Sequence, residues 1–235
     1  MKLFKYETEE ELLKGVKEDG YLIKFINNPS EKVQLEAVRQ DGYAIIYIDN
    51  PSEGVQLEAI KQNCYAIEFI HNPSKKVQLE AVKENGSLIQ CIYRPSEEVK
   101  LEAVKNDGYA IQFIHNPSKK IQLEAVKENG NLIEYIYRPS EEVKLEAVKQ
   151  DGTAIEFIRN PSKKVKLEAV KQNGTAIEYI KNPSEEVIRY LLDNYYPDEE
   201  IMQGLLDNIG KKGYNKLPDE DKLKLDKLNL IEPLN

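Results

Sequence analysis

The sequence predicts an all-α fold, a right-handed α-solenoid of about eight 22-residue helix-turn-helix repeats closed by helical caps, and three observations carry that expectation. Prolines at Pro29, Pro51, Pro73, Pro95, Pro117, Pro139, Pro161 and Pro183 stand 22 residues apart with no insertion or deletion. Each interval repeats one apolar pattern, read most plainly over 51–72 as PSEGVQLEAIKQNCYAIEFIHN. The intervals at both ends keep the register but lose part of the apolar content. A period in the twenties marks a solenoid, because such a unit cannot cover its own apolar face and must use a neighbour's. One continuous array follows: 1–28 is a degenerate N-terminal capping repeat, 29–182 seven regular repeats, and 183–235 a degenerate last repeat with C-terminal capping helices.

Each repeat reads as a long helix and a short one. In the first regular copy Asn28 is placed to cap, Pro29 takes the first helical position, and Glu31 stands where a capping-box acid belongs. Val33, Leu35, Ala37 and Val38 spread over a wide apolar arc, which requires neighbours on several sides. At Asp41-Gly42 the glycine is expected to supply the left-handed residue that ends the helix. The same column holds Gly20, Gly86, Gly108, Gly130, Gly152 and Gly174, and Cys64 breaks it. A side chain in that conformation should cost on the order of 1 kcal/mol.

The short helix is expected over Tyr43–Asp49, before the next Asn-Pro step stops it. Its length would not sustain a free helix, so it must be held by packing. At 100° per residue Ala44, Ile45 and Ile48 share one face, with Tyr47 on its edge. Ile46 lies opposite, in a column that elsewhere holds Lys24, Glu68, Gln90, Gln112, Glu134, Glu156 and Glu178 and is therefore exposed.

The ends depart from this pattern in different ways. Counting back from Ser30 places Thr8 at the helix start, with Glu11 in the position of Val33, as a polar outer face requires. At the other end Leu191-Leu192 replace the Ala-Val step, and Tyr196-Pro197 fall where glycine and the second helix should be. Capping helices are expected over Asp198–Asn208 and Asp219–Asn229, although Leu223-Lys224-Leu225 alternates like a strand.

A second period overlies the first. Residues 73–116 and 117–160 are identical at 36 of 44 positions, the mark of a duplicated two-repeat block. Lys75-Lys76, Glu97-Glu98, Lys119-Lys120, Glu141-Glu142, Lys163-Lys164 and Glu185-Glu186 alternate in charge at the same two positions. Neighbouring helices lie about 8–10 Å apart, so opposite charges should meet across each interface and oppose slippage of the register.

At 169–180, AVKQNGTAIEYI, the unit resembles a family of short two-helix repeats of unassigned function found in bacteria, their viruses and large DNA viruses. That family carries a core of the form A-V-K-x-N-G-x-A-L-x-Y, and the resemblance covers about residues 8–196. More loosely the unit is similar to leucine-rich variant and HEAT-type solenoids. Cys64 in place of glycine and the Asn-Pro-Ser opening depart from the family pattern. The resemblance implies an α-solenoid and a binding surface, and it carries over no catalytic residue.

Composition bounds the function. With 41 acidic against 33 basic residues the net charge is −8, which disfavours nucleic acid and anionic membrane as partners. No apolar run approaches a membrane span, and Met1–Phe4 begins no signal-peptide core, so a cytoplasmic location is expected. Two cysteines, Cys64 and Cys91, are too few for a disulfide framework or a four-cysteine zinc site. His71 and His115, the only histidines, lie 44 residues apart, and the serines belong to helix openings, so no catalytic, cofactor or metal residue is assigned. Gly210-Lys211-Lys212-Gly213 is too short for a phosphate loop. Glu36, Glu58, Glu80, Glu102, Glu124, Glu146 and Glu168 form an acidic ladder that Arg39, Lys61, Lys83, Lys105, Lys127, Lys149 and Lys171 accompany.

Two aromatic columns remain. Phe25, Tyr47, Phe69, Phe113, Tyr135, Phe157 and Tyr179 share one position, interrupted by Cys91, which the pattern assigns to the edge of the core. Tyr21, Tyr43, Tyr65 and Tyr109 open the short helix on its exposed side, in a column that otherwise holds Ser87, Asn131, Thr153 and Thr175. Variable exposed positions are where a solenoid reads its partner, and tyrosines offer rigid contact area. The candidate partner-binding residues are therefore Tyr21, Tyr43, Tyr65 and Tyr109, flanked by the next variable column of Asp49, His71, Tyr93, His115, Tyr137 and Arg159. The expected function is a non-enzymatic protein–protein interaction scaffold, as monomer or cap-mediated homodimer. The alternative is an acidic, virus-encoded inhibitor that occludes a nucleic-acid-handling host protein.

Overall fold

The computed structural model describes residues 8–228 and 230, so the expectations for Met1–Phe4 and for Asn229 lie outside the described residues. Long α-helices alternate with six-residue 3₁₀ helices, and no strand occurs among the described residues. The long helices are α1 (Glu9–Glu18), α2 (Glu31–Gln40), α3 (Glu53–Gln62), α4 (Lys75–Glu84), α5 (Glu97–Asn106), α6 (Lys119–Glu128), α7 (Glu141–Gln150), α8 (Lys163–Gln172) and α9 (Glu185–Asn194). The short ones are η1 (Gly20–Phe25), η2 (Gly42–Tyr47), η3 (Cys64–Phe69), η4 (Gly86–Cys91), η5 (Gly108–Phe113), η6 (Gly130–Tyr135), η7 (Gly152–Phe157) and η8 (Gly174–Tyr179). Helices α10 (Glu199–Tyr214) and α11 (Asp219–Asp226) complete the chain as described. The architecture is an all-α solenoid of about eight repeats, whose chain divides into two compact units, one up to His115 and one from Asn116.

The helix starts differ from expectation by two residues. Ser30, not Asn28, is the N-cap: its hydroxyl accepts from the Val33 amide at 3.4 Å, so Glu31 is the first helical residue and no capping box forms there. The equivalent serines cap α3 to α9. Asn28 is instead the left-handed residue, at φ 49°, that turns the chain into Pro29. A capping box does occur, in the first repeat, where Thr8 and Glu11 satisfy each other's backbone amides.

The glycine column also has another cause. Left-handed backbone falls at Asn28, Asn50, Asn72, Arg94, Asn116, Arg138, Asn160 and Asn182, and at none of the glycines that open the short helices. Those glycines are needed for close approach. A Cβ on Gly86 would lie 2.3 Å from the Ala103 carbonyl oxygen, and one on Gly130 would lie 2.3 Å from that of Ala147. The buried alanine of each long helix thus lets its backbone rest on the short helix of the repeat before. Cys64 carries no left-handed strain, contrary to expectation. It does place a Cβ at the position where the glycines make that contact.

The short helices wind as 3₁₀ because an Asx side chain starts each one. Asp41 ends α2 and its carboxylate accepts from the Tyr43 amide at 2.9 Å, tightening the first turn. Val33, Ala37, Val38, Ala44, Ile45 and Ile48 and their equivalents are buried in repeat after repeat. Each large apolar side chain so buried contributes about 1.5–3 kcal/mol, which makes the interfaces between repeats the source of stability.

At the C-terminal end Leu191 and Leu192 fill the Ala-Val positions, and α10 packs on η8 with Ile201, Met202 and Leu205 buried. Asp198, where the expected helix began, is its N-cap, and the helix runs beyond Asn208 and bends at Gly210, where φ is 58°. The segment Leu223-Lys224-Leu225 is helical rather than extended, with Leu225 buried and Leu223 55% exposed.

Candidate partner-binding surface

The first turn of each short helix is where the sequence placed the partner surface, and its tyrosines differ in exposure. Tyr21 and Tyr43 are half-buried, whereas Tyr65 and Tyr109 are exposed. The ring of Tyr21 meets Tyr47 edge-on at 5.9 Å, and Tyr43 meets Phe69 at 5.7 Å. The polar tips also bond to the next repeat's Asx cap. Tyr65 accepts from Asn85 at 3.2 Å, Ser87 donates to Asp107 at 2.8 Å, and Asn131 donates to Asp151 at 2.9 Å, while burial and then the neighbouring Asp41 carboxylate push the Tyr21 hydroxyl up. Variability in this column thus reflects alternative clamps between repeats. Thr153 and Thr175 instead bond back to their own caps, Asp151 and Asn173.

Burial raises the proton affinity of the Asp151 carboxyl, but bonds from the Thr153 hydroxyl at 2.6 Å, the Thr153 amide at 2.9 Å and Asn131 at 2.9 Å outweigh it. The group is held below its ordinary pKa.

The flanking column is more open. Asp49, His71, Tyr93, His115, Tyr137 and Arg159 are all exposed, with Tyr93 at 79% and Tyr137 at 76%. The guanidinium of Arg94 lies 5.1 Å from the Tyr93 ring centre, and that of Arg138 lies 5.0 Å from that of Tyr137.

The aromatic column expected at the edge of the core is more open than that expectation. Phe25, Tyr47, Phe69, Phe113, Tyr135, Phe157 and Tyr179 are between 39% and 53% exposed. In a 3₁₀ helix the fourth residue returns to the face of the first, so Tyr47 stands in line with the buried Ala44, and its long ring reaches past that short side chain to water while Ile45 and Ile48 stay buried. Composition could have signalled it, since phenylalanine and tyrosine interchange freely in this column, as suits a position where one ring edge reaches water.

Charge alternation pairs the repeats in two ways. Lys75 bonds Glu98 and Lys119 bonds Glu142 in the following repeats. Where the preceding long helix opens on glutamate, the N-cap serine takes the bond: Ser52 donates to Glu31 at 2.5 Å, and Ser162 donates to Glu141. Arg39 joins the acidic ladder directly, 3.8 Å from Glu36 and 3.0 Å from Glu58. Both thiols, Cys64 and Cys91, are pushed up by burial, the opposite of an activated nucleophile.

Residues 96–138 and 118–162 match the family model of a domain of unknown function (DUF4116). Each match spans about two repeats, within the stretch where the sequence resembles a short two-helix repeat family. No curated protein and no solved structure matches the chain.

In the second unit the exposed rings frame a cleft of about 680 Å³ between the ends of η6 and η7. Tyr135, Tyr137 and Phe157 form its aromatic wall, and Arg138, Lys144 and Arg159 stand at its rim. Arg138 and Lys144 escaped the sequence reading because each looks like ordinary surface charge until the fold sets it beside the rings.

Proposed function

We propose that the chain is a non-enzymatic protein-interaction scaffold that engages its partner through the exposed edges of its short helices. The observation that carries this reading is the half-exposed aromatic column, Phe25, Tyr47, Phe69 and Phe113 in one unit and Tyr135, Phe157 and Tyr179 in the other. Rings repeated at one position with about 40–50% of their area open to water leave a continuous apolar edge uncovered, and aromatic anchors dominate binding energy at protein interfaces. The flanking residues Asp49, His71, Tyr93, His115, Tyr137 and Arg159 would supply specificity, since they vary while the packed positions do not.

No catalytic residue, cofactor or metal belongs to this reading, and a cytoplasmic location suits it. No described helix is long and apolar enough to cross a membrane. Acidic mimicry of nucleic acid is the weaker reading, because Arg39 neutralises the ladder at Glu36 and Glu58. The test is a quantitative pull-down comparing wild type with Phe69→Ser/Phe113→Ser and Tyr135→Ser/Phe157→Ser variants of equal helical signal. Loss of one recovered protein from either variant supports the column as the site. Equal recovery by all three chains excludes it.

A further inference from the structure

We propose that Tyr93-Arg94-Lys100 and Tyr137-Arg138-Lys144 are two equivalent cation–aromatic sites that bind acidic segments of a protein partner. The inference rests on the scaffold reading and names the chemistry of what the scaffold holds. In these two repeats several local rules are broken together, and each departure adds a cation or an exposed ring.

The left-handed position before each proline is the first. Asparagine occupies it in six repeats, where its short polar side chain tolerates the conformation, but Arg94 and Arg138 hold φ 50° and 51° there. Non-glycine residues kept in that region cost on the order of 1 kcal/mol, and such strain gathers at functional sites.

The second departure lies in the long helix. Gln34, Gln56, Gln78 and Gln122 each donate to the carbonyl of their own repeat's proline at 2.9 Å. Lys100 and Lys144 replace that glutamine in the two arginine repeats. Lys166, in an asparagine repeat, behaves differently and donates to the Lys181 carbonyl at 3.2 Å.

Third, Tyr93 and Tyr137 are the most exposed large hydrophobic side chains described, and each lies under the guanidinium that follows it. None of Arg94, Lys100, Arg138, Lys144 and Arg159 is ion-paired among the described residues. The nearby acids Glu98, Glu142 and Glu141 are engaged instead by Lys75, Lys119 and Ser162.

In the second unit these groups converge on the cleft, where Arg138, Lys144 and Arg159 outnumber the single acid Glu134 beside Tyr135 and Phe157. Phe113 and His115 occupy the positions of Phe157 and Arg159 in the first unit. Cations at the rim and rings along the wall suit carboxylates alternating with apolar side chains. A short acidic segment feels this local field, because screening limits its reach to about 8 Å at physiological salt. A nucleic acid, charged along its whole length, would meet the chain's net charge of −8 as well.

The test uses the full chain and three fluorescein-labelled probes read by anisotropy: a peptide alternating Glu with Leu and Phe, the same peptide with Gln for Glu, and mixed-sequence single-stranded DNA. The variant R94N/K100Q/R138N/K144Q installs residues that the other repeats already carry, so it should fold with a urea midpoint no lower than wild type. It should bind the acidic peptide at least about tenfold more weakly, and wild-type affinity should fall as salt is raised. Equal acidic-peptide binding by variant and wild type, equal binding of the Gln peptide, tighter binding of the DNA, or a lowered urea midpoint each overturns the proposal. If the variant keeps a partner that the aromatic-column variants lose, this inference fails while the scaffold reading stands.

Discussion

A methyl group at position 130 would stand 2.3 Å from the Ala147 carbonyl oxygen, which is backbone and cannot step aside. Gly130→Ala should therefore destabilise the chain by about 1–3 kcal/mol, read as a lowered urea midpoint, even though alanine normally favours a helix. Asp151 makes a different prediction. Its pKa is depressed in the folded chain, so its contribution is present above the unfolded value of about 3.9 and is lost as pH falls through the folded value. The stability of Asp151→Asn should accordingly fall less steeply than wild type over the acid range, measured as urea midpoint against pH. An identical pH profile would show that its three hydrogen bonds do not discriminate between carboxylate and acid.

Among the elements, the long-helix start couples capping to repeat stacking. Ser162 accepts from the Val165 amide at 3.1 Å while its hydroxyl donates to Glu141 of the preceding repeat. Ser162→Ala should cost about 1 kcal/mol or more, and Glu141→Gln should recover part of the difference in a double-mutant cycle. The C-terminal pair α10 and α11 is tied at Tyr214, whose hydroxyl bonds Asp226 at 2.5 Å. That bond, with some burial and the Asp226 charge, pushes the tyrosine up to about 12. The raised value means the contact is intact below the unfolded pKa of about 10 and is lost as pH rises through about 12. Hydrogen exchange in 219–226 should accelerate across that window in wild type, and Tyr214→Phe should remove the alkaline step.

Across the molecule, stability is a sum over repeats and their interfaces, so the terminal surfaces matter as much as any interior one. Helix α10 covers η8, with Asn208 donating to the Ile177 carbonyl at 3.1 Å and Tyr195 to that of Val170 at 3.3 Å. A chain ending at residue 196 would leave Ile177 and its neighbours uncovered. Such a truncation should self-associate in size-exclusion chromatography and melt at a lower temperature; a monomer of unchanged melting temperature would show that α10 is not a cap.

Repeat length, helix placement, the apolar core and the alternation of charge were legible without coordinates, because periodicity in sequence translates directly into which side chains share a face. The serine caps, glycine contacts and aromatic column were not. Asn28-Pro29-Ser30 offers several plausible caps, and only the backbone angles separate a left-handed Asn28 from a capping Ser30. Gly130 and Ala147 lie 17 residues apart, and nothing local announces that one backbone rests on the other. The ring of Tyr47 is expected at the edge of the core, and only the packed structure shows that 43% of it stays open to water. Tyr21 shows the reverse, a side chain legible as exposed that the next repeat's Asp41 and Tyr47 engage. Local sequence sets the period and the buried face, whereas contacts across repeats choose among the backbone states that the period allows.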